Sequence, residues 1–214
     1  MKLYDITREL FSTAVYPGDP APAAEPVKEV QKGDKFNLTR IMLGTHSGTH
    51  MDAPWHYIPE GKTVEAITLE QTIGPCHVVS MEGKINGSML EEVLPEKCER
   101  LLIRGDVELT PEGASKLAQK NLQLLGVEGM TVGTEETTDQ IHRTLLETGM
   151  VILENLDLSR PAPGSYVLVA APLRMKGMDG SPVRAVLMEG ENLQVTPKCE
   201  AASGEGRKLV LFDL

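Results

Sequence analysis

Eleven residues constrain this chain most: His46-Ser47-Gly48-Thr49-His50-Met51-Asp52-Ala53-Pro54-Trp55-His56. They hold three of its five histidines, and the polar members are spaced by four, two and four. On a helix, a His-x-x-x-His pair would share one face, a common zinc arrangement. Gly48 and Pro54 interrupt the run, so a loop or strand end is expected, with backbone turns gathering the side chains. If the stretch is extended, His50 and Asp52 face the same way. Imidazole is a borderline ligand for Zn²⁺ or Mn²⁺, and a carboxylate can bridge two ions. Three imidazoles and a carboxylate have little reason to converge without a cation, so the segment reads as a metal site.

The rest of the chain excludes several classes. The 214 residues carry 21 Lys+Arg against 31 Asp+Glu, a formal charge of −10, with no basic cluster. Nucleic acid and anionic membrane are therefore disfavoured as partners. No apolar stretch approaches the roughly 18–20 residues of a membrane span. The opening Met1-Lys2-Leu3-Tyr4-Asp5-Ile6 lacks a signal peptide's apolar run. Cys76, Cys98 and Cys199 are odd in number, far apart and free of any Cys-x-x-Cys. Structural thiols in a reducing cytoplasm are expected.

Patterning gives an order of strands, a mixed middle, then strands. Strands are expected at 2–7, 27–32, 36–43, 76–81, 99–104, 122–127, 151–154, 166–171 and 183–188. The proline-rich residues 17–26 read as a loop, and 44–61 as mainly irregular chain. Asn86-Gly87-Ser88 opens a helix to Leu94, with Glu91 three residues after Ser88 as in a capping box. Thr110 caps a helix beginning at Pro111 and running to about Lys120. Thr137 or Thr138 caps another that ends at Gly149. Residues 201–206 form a turn before a last strand at 208–212. The whole is expected to be one α/β (mixed α+β) domain over residues 1–214 with a mixed sheet.

Two histidines and one acid remain. His77, inside a strand, reads as structural. His142, on its own, would be an ordinary helix-surface residue. Glu154 ends the apolar run Val151-Ile152-Leu153, where a carboxylate is tolerated if paired or metal-bound.

The eleven-residue run resembles the H-x-G-T-H-x-D-x-P-x-H signature of the metal-dependent cyclase family, which includes bacterial kynurenine formamidases and isatin hydrolase. Tyr16-Pro17-Gly18-Asp19-Pro20 resembles that family's aromatic-Pro-Gly-Asp segment. His142 and Glu154 fall where it places its late ligands, and Gly180-Ser181-Pro182-Val183-Arg184-Ala185 resembles its closing segment. The resemblance covers residues 3–188.

It implies a swivelling β/β/α domain that assembles as a homodimer or homotetramer. His46, His50 and Asp52 would hold a first metal, and Asp52 would bridge to a second held also by His142 and Glu154. His56 would be the general acid/base. The ions would be Zn²⁺, two per subunit, with Mn²⁺ compatible. Tyr16 stands where formamidases place a substrate-contacting tryptophan, and Glu128 where relatives carry an aspartate on the pocket wall. The implied reaction is hydrolysis of a small amide, N-formylkynurenine first, giving kynurenine and formate. A cyclic amide, imide or lactone is the second reading, and a non-catalytic metal- or ligand-binding module the third.

Overall fold

The computed structural model describes residues 1–190. The strand expected at 208–212, the turn at 201–206 and Cys199 lie outside the described residues. The strands are β1 (Lys2–Asp5), β2 (Ala23–Lys28), β3 (Leu38–Met42) and β4 (His50–Asp52). After them come α1 (Leu69–Thr72), β5 (Ile73–Ser80), β6 (Gly83–Ile85), α2 (Gly87–Val93), β7 (Arg100–Arg104) and β8 (Val107–Leu109). Then follow α3 (Pro111–Ala118), β9 (Leu124–Val127), α4 (Thr138–Leu146), β10 (Val151–Glu154), β11 (Gly164–Val169), β12 (Gly180–Pro182) and β13 (Val186–Glu189).

Nine strands form one mixed sheet in the order β1-β13-β11-β5-β7-β9-β10-β4-β12. The centre, β5-β7-β9-β10, is parallel, and the remaining pairs are antiparallel. Alternation along β7 divides the core. Leu101 and Ile103 pack with Leu90, Leu117, Ile141 and Leu145 on the helical side. Leu102 faces the other way, among Tyr4, Ile6, Met51, Leu153 and Leu187. The sheet curls around this second cluster until the segment after β1 meets the segment after β10. Ile6 N–H donates to Ala185 O while Ile6 O accepts from Asp157 N–H. This is the mixed α/β domain with a mixed sheet that the patterning implied.

Several elements differ from expectation. Residues 23–28 are a strand despite Pro26, because β2 belongs to a two-stranded ribbon with β3 and the register slips between Pro26 and Lys28. Val30–Lys32 is a 3-10 turn closed by Gly33 at φ 95°, not the end of a strand. The three-residue strands β4, β6, β8 and β12 were not legible, since so short a run has no period to read. Asn86, not Ser88, caps α2: its Oδ1 accepts from Met89 N–H at 3.0 Å and from the Ser88 hydroxyl at 2.8 Å. Thr110 caps α3 as expected, accepting from Gly113 N–H.

Candidate metal centre

β4 carries the site because of its position. It pairs antiparallel with β10 on one side and β12 on the other. His50 is directly opposite Glu154, so both project from one face. Asp52, two residues on, projects with them. His50 Nε2 stands 3.4 Å from Glu154 Oε2 and 3.4 Å from Asp52 Oδ1. α4 supplies His142, whose Nε2 is 3.3 Å from Asp52 Oδ2 and 3.3 Å from Glu154 Oε1. His142 is 2% exposed, so it is not the surface residue that its helix alone would imply.

Both imidazoles are oriented from behind. His50 Nδ1 donates to Gly48 O at 2.9 Å, and His142 Nδ1 to Thr138 O at 2.8 Å. A ring held this way presents its Nε2 lone pair to the cluster.

The residues fit a divalent cation. Asp52 Oδ2 and Glu154 Oε1 are fully enclosed and have no hydrogen-bond partner among the described residues. Buried carboxylate oxygens left unpaired are costly, whereas a metal satisfies them. The 3.3–3.4 Å spacings also match. Any two ligands of one tetrahedral zinc, each about 2.0–2.2 Å from it, stand roughly 3.3–3.6 Å apart, as each histidine here stands from its carboxylate neighbours.

His46 lies beside this tetrad, hydrogen-bonded through both nitrogens. Nδ1 is 2.8 Å from Asp52 Oδ1 and Nε2 is 3.0 Å from Asp179 Oδ2. His46 Nδ1 and His50 Nε2 thus both approach Asp52 Oδ1, at 2.8 and 3.4 Å, while His50 stands as close to Glu154 as to Asp52. His46, Asp52 and His56 do lie close enough for one ion to reach all three. His56 stacks on His46 with centroids 4.0 Å apart, and its Nδ1 is 3.4 Å from Asp179 Oδ2. A Cβ at Gly180 would stand 2.7 Å from His46 Cε1, so only glycine lets the ring lie there.

Asp179 was missed from the sequence. It contacts both His46 and His56, and its Oδ1 accepts from the Thr45 hydroxyl at 2.9 Å. The available signal was a carboxylate directly before Gly180-Ser181-Pro182. Glu128 is a correction in the other direction: its two carboxylate oxygens accept from Gly105 N–H and Leu158 N–H, so it braces loops and is absent from the cavity wall. His77 is structural as expected, sitting in β5 against the Ser165 hydroxyl. Burial pushes the thiols of Cys76 and Cys98 up to about 12 and about 11, which leaves them inert.

The acids and imidazoles of the cluster shift one another's affinity for protons. Burial pushes His46 down, but hydrogen bonds to Asp179 and Asp52 outweigh it and hold the ring at about 10. His142 is likewise depressed by burial and lifted by Asp52 and Glu154, to about 10. Burial works against the Asp52 anion, yet the facing His142 and His46 imidazoles keep its carboxyl well below the usual range. Hydrogen bonds from His46 and His56 hold Asp179 low as well. The cluster opens on a cavity of about 180 Å³ whose wall includes Tyr16, Asp19, Tyr57, Met130 and Asn155.

Comparison with known proteins gives the family and supports the fold. A family model described as "Putative cyclase" matches residues 4–134. The kynurenine formamidase of Salinibacter ruber is 33% identical over 208 residues, covering 88% of this chain and 98% of that protein. A solved structure described as a potential metal-dependent hydrolase with cyclase activity superposes with a TM-score of 0.77 at 27% identity, over 87% of this chain and 96% of that one. Isatin hydrolase A from Labrenzia aggregata shares the fold, with a TM-score of 0.76 at 24% identity over 89% and 94% of the two chains. With a family model matched over more than half its length, and a relative one-third identical across nearly all of it, the chain belongs to the cyclase family.

Proposed function

We propose that this chain is a metal-dependent hydrolase of a C–N bond in a small amide, with N-formylkynurenine as substrate and kynurenine and formate as products. The observation that carries the reading is the convergence of His50, Asp52, His142 and Glu154 with two enclosed, unpartnered carboxylate oxygens beside a small cavity. The ligands would be those four together with His46, holding Zn²⁺, two per subunit, with Mn²⁺ able to serve. A divalent cation here supplies Lewis acidity and a water ionised near neutral pH. His56 faces the same cavity and hands a proton to the departing aryl amine, a poor leaving group unless protonated in step. Asp179 holds His56 and His46 in register, leaving His56 Nε2 free for that transfer. Tyr16 lies on the cavity wall, placed to pack on the substrate's aryl ring. The enzyme would work in the cytoplasm.

The deciding measurement is the initial rate of kynurenine formation by purified protein with Zn²⁺ or Mn²⁺ supplied. Metal-dependent turnover is expected, with Tyr16→Trp equal or better because an indole adds stacking area. The small cavity also favours a second reading, a cyclic amide, imide or lactone. No turnover in either protein, beside clear turnover of a lactam or imide, would transfer the assignment to that class.

Asp179→Asn should keep the fold and lower kcat by about 10–100-fold, the usual consequence of losing an orienting carboxylate. KM should move little, since Asp179 touches histidines and not the cavity's aryl end. An unchanged kcat would remove Asp179 from the machinery.

Assembly is proposed to run through the β2–β3 ribbon. Every residue of both strands is exposed, Val27, Leu38, Ile41 and Met42 among them. A two-stranded ribbon with no sheet or helix behind it among the described residues is marginal in water. Sedimentation should give a dimer or larger species, shifted toward monomer by Ile41→Lys combined with Met42→Lys. A fully active monomeric wild type would show that one chain builds the whole pocket.

A further inference from the structure

Asn155 follows the candidate ligand Glu154 and has an unusual backbone. Its φ is 62°, the one positive value outside glycine among the described residues. The conformation is clamped on all sides. Asn155 N–H donates to Gly129 O at 2.8 Å, and Asn155 O accepts from the Thr49 hydroxyl at 2.6 Å. The next residue, Leu156, donates to Val127 O and accepts from Arg8 Nε. Asparagine tolerates this region better than most residues, but glycine would fill it at no steric cost.

The turn has a geometric result. Neighbours along a strand point to opposite faces. Glu154 and Asn155 instead both line the same cavity, because the left-handed residue breaks the alternation. Asn155 is only 6% exposed, and among the described residues all its hydrogen bonds run through its backbone. The side-chain amide makes no hydrogen bond among the described residues, and the residue lines the cavity. A carboxamide at a cavity wall is placed to pair with a polar group of whatever fills the cavity.

We propose that Asn155 is a substrate-contacting residue whose side-chain amide pairs with the amide group of the substrate, a contact that rests on the hydrolase reading above. A carboxamide carries N–H donors and a carbonyl acceptor, the same pair a substrate amide presents in reverse. Of the hydroxyls nearest the cluster, those of Thr131 and Thr138 bond each other at 2.6 Å, and His142 is tied to Thr138. Asn155 is the one carboxamide among the residues that line the cavity, placed to orient a carbonyl before the reaction. The contact selects substrates with an amide edge over esters of the same shape, which lack the N–H.

The test uses the metal-loaded protein with benzamide as the binding probe and formanilide as the turnover probe. Asn155→Gly keeps the backbone conformation and removes the amide. Asn155→Asp keeps the shape but has no N–H to donate at neutral pH. Metal content and thermal midpoint should stay at wild-type values in Asn155→Gly. Benzamide should bind it about fivefold or more weakly by calorimetry, and kcat/KM for formanilide should fall about tenfold or more. Asn155→Asp should rescue neither. Equal benzamide affinity in wild type and Asn155→Gly, or no binding by wild type, overturns the proposal. Wild type that binds benzamide through Asn155 yet hydrolyses no amide supports the contact and sinks the hydrolase reading instead.

Discussion

Asp52→Ala is expected to lose bound metal and turnover together. The Asp52 side chain is wholly enclosed, and its two oxygens lie within 3.4 Å of His46, His50 and His142. Alanine leaves those three imidazoles sharing Glu154 and Asp179 alone. Losing an outer hydrogen-bond partner typically weakens a metal site about 10–100-fold, and losing a shared carboxylate ligand should exceed that. Elemental analysis of the purified variant beside an amide hydrolysis assay reads both effects. Full stoichiometry with full turnover in Asp52→Ala would end the assignment of this residue as a bridge.

His56→Ala should separate binding from chemistry. The ring sits against His46 and Asp179, outside the His50-Asp52-His142-Glu154 tetrad. Metal content should stay near the wild-type value while kcat falls about 10²–10⁴-fold, the usual contribution of a positioned acid/base. The alternative outcome is equally legible. If metal leaves with activity, His56 is itself a ligand, and the proximity of His46, Asp52 and His56 to one another is a second cation site.

The sequence exposed the histidine-rich run because its chemistry is concentrated in eleven residues. The late partners are different in kind. Nothing local to α4 marks His142 as buried; only the docking of the helix against β10 turns it toward Asp52. Glu154 was visible as a carboxylate ending an apolar strand, but its pairing with His50 depends on β4, whose three residues have no readable period. Asp179 reaches the site through the β12–β4 register, 133 residues from His46. The longer strands and the two capped helices α2 and α3 were legible for the converse reason: their signals are periodicity and end chemistry, both local. Pro26 misled because proline argues against a strand in general, yet is tolerated on a ribbon with a free side.

Among the described residues β12 ends the sheet beside β4, and it has three residues, the last of them Pro182. A longer, regular margin would offer a row of unpaired N–H and C=O groups to any extended peptide. Here the row is too short to template a partner, and proline removes one donor from it. The sheet cannot grow at the end where His50 and Asp52 lie. Strand exchange and fibril-like stacking are blocked at that margin, so the functional end of the molecule is also guarded against aggregation.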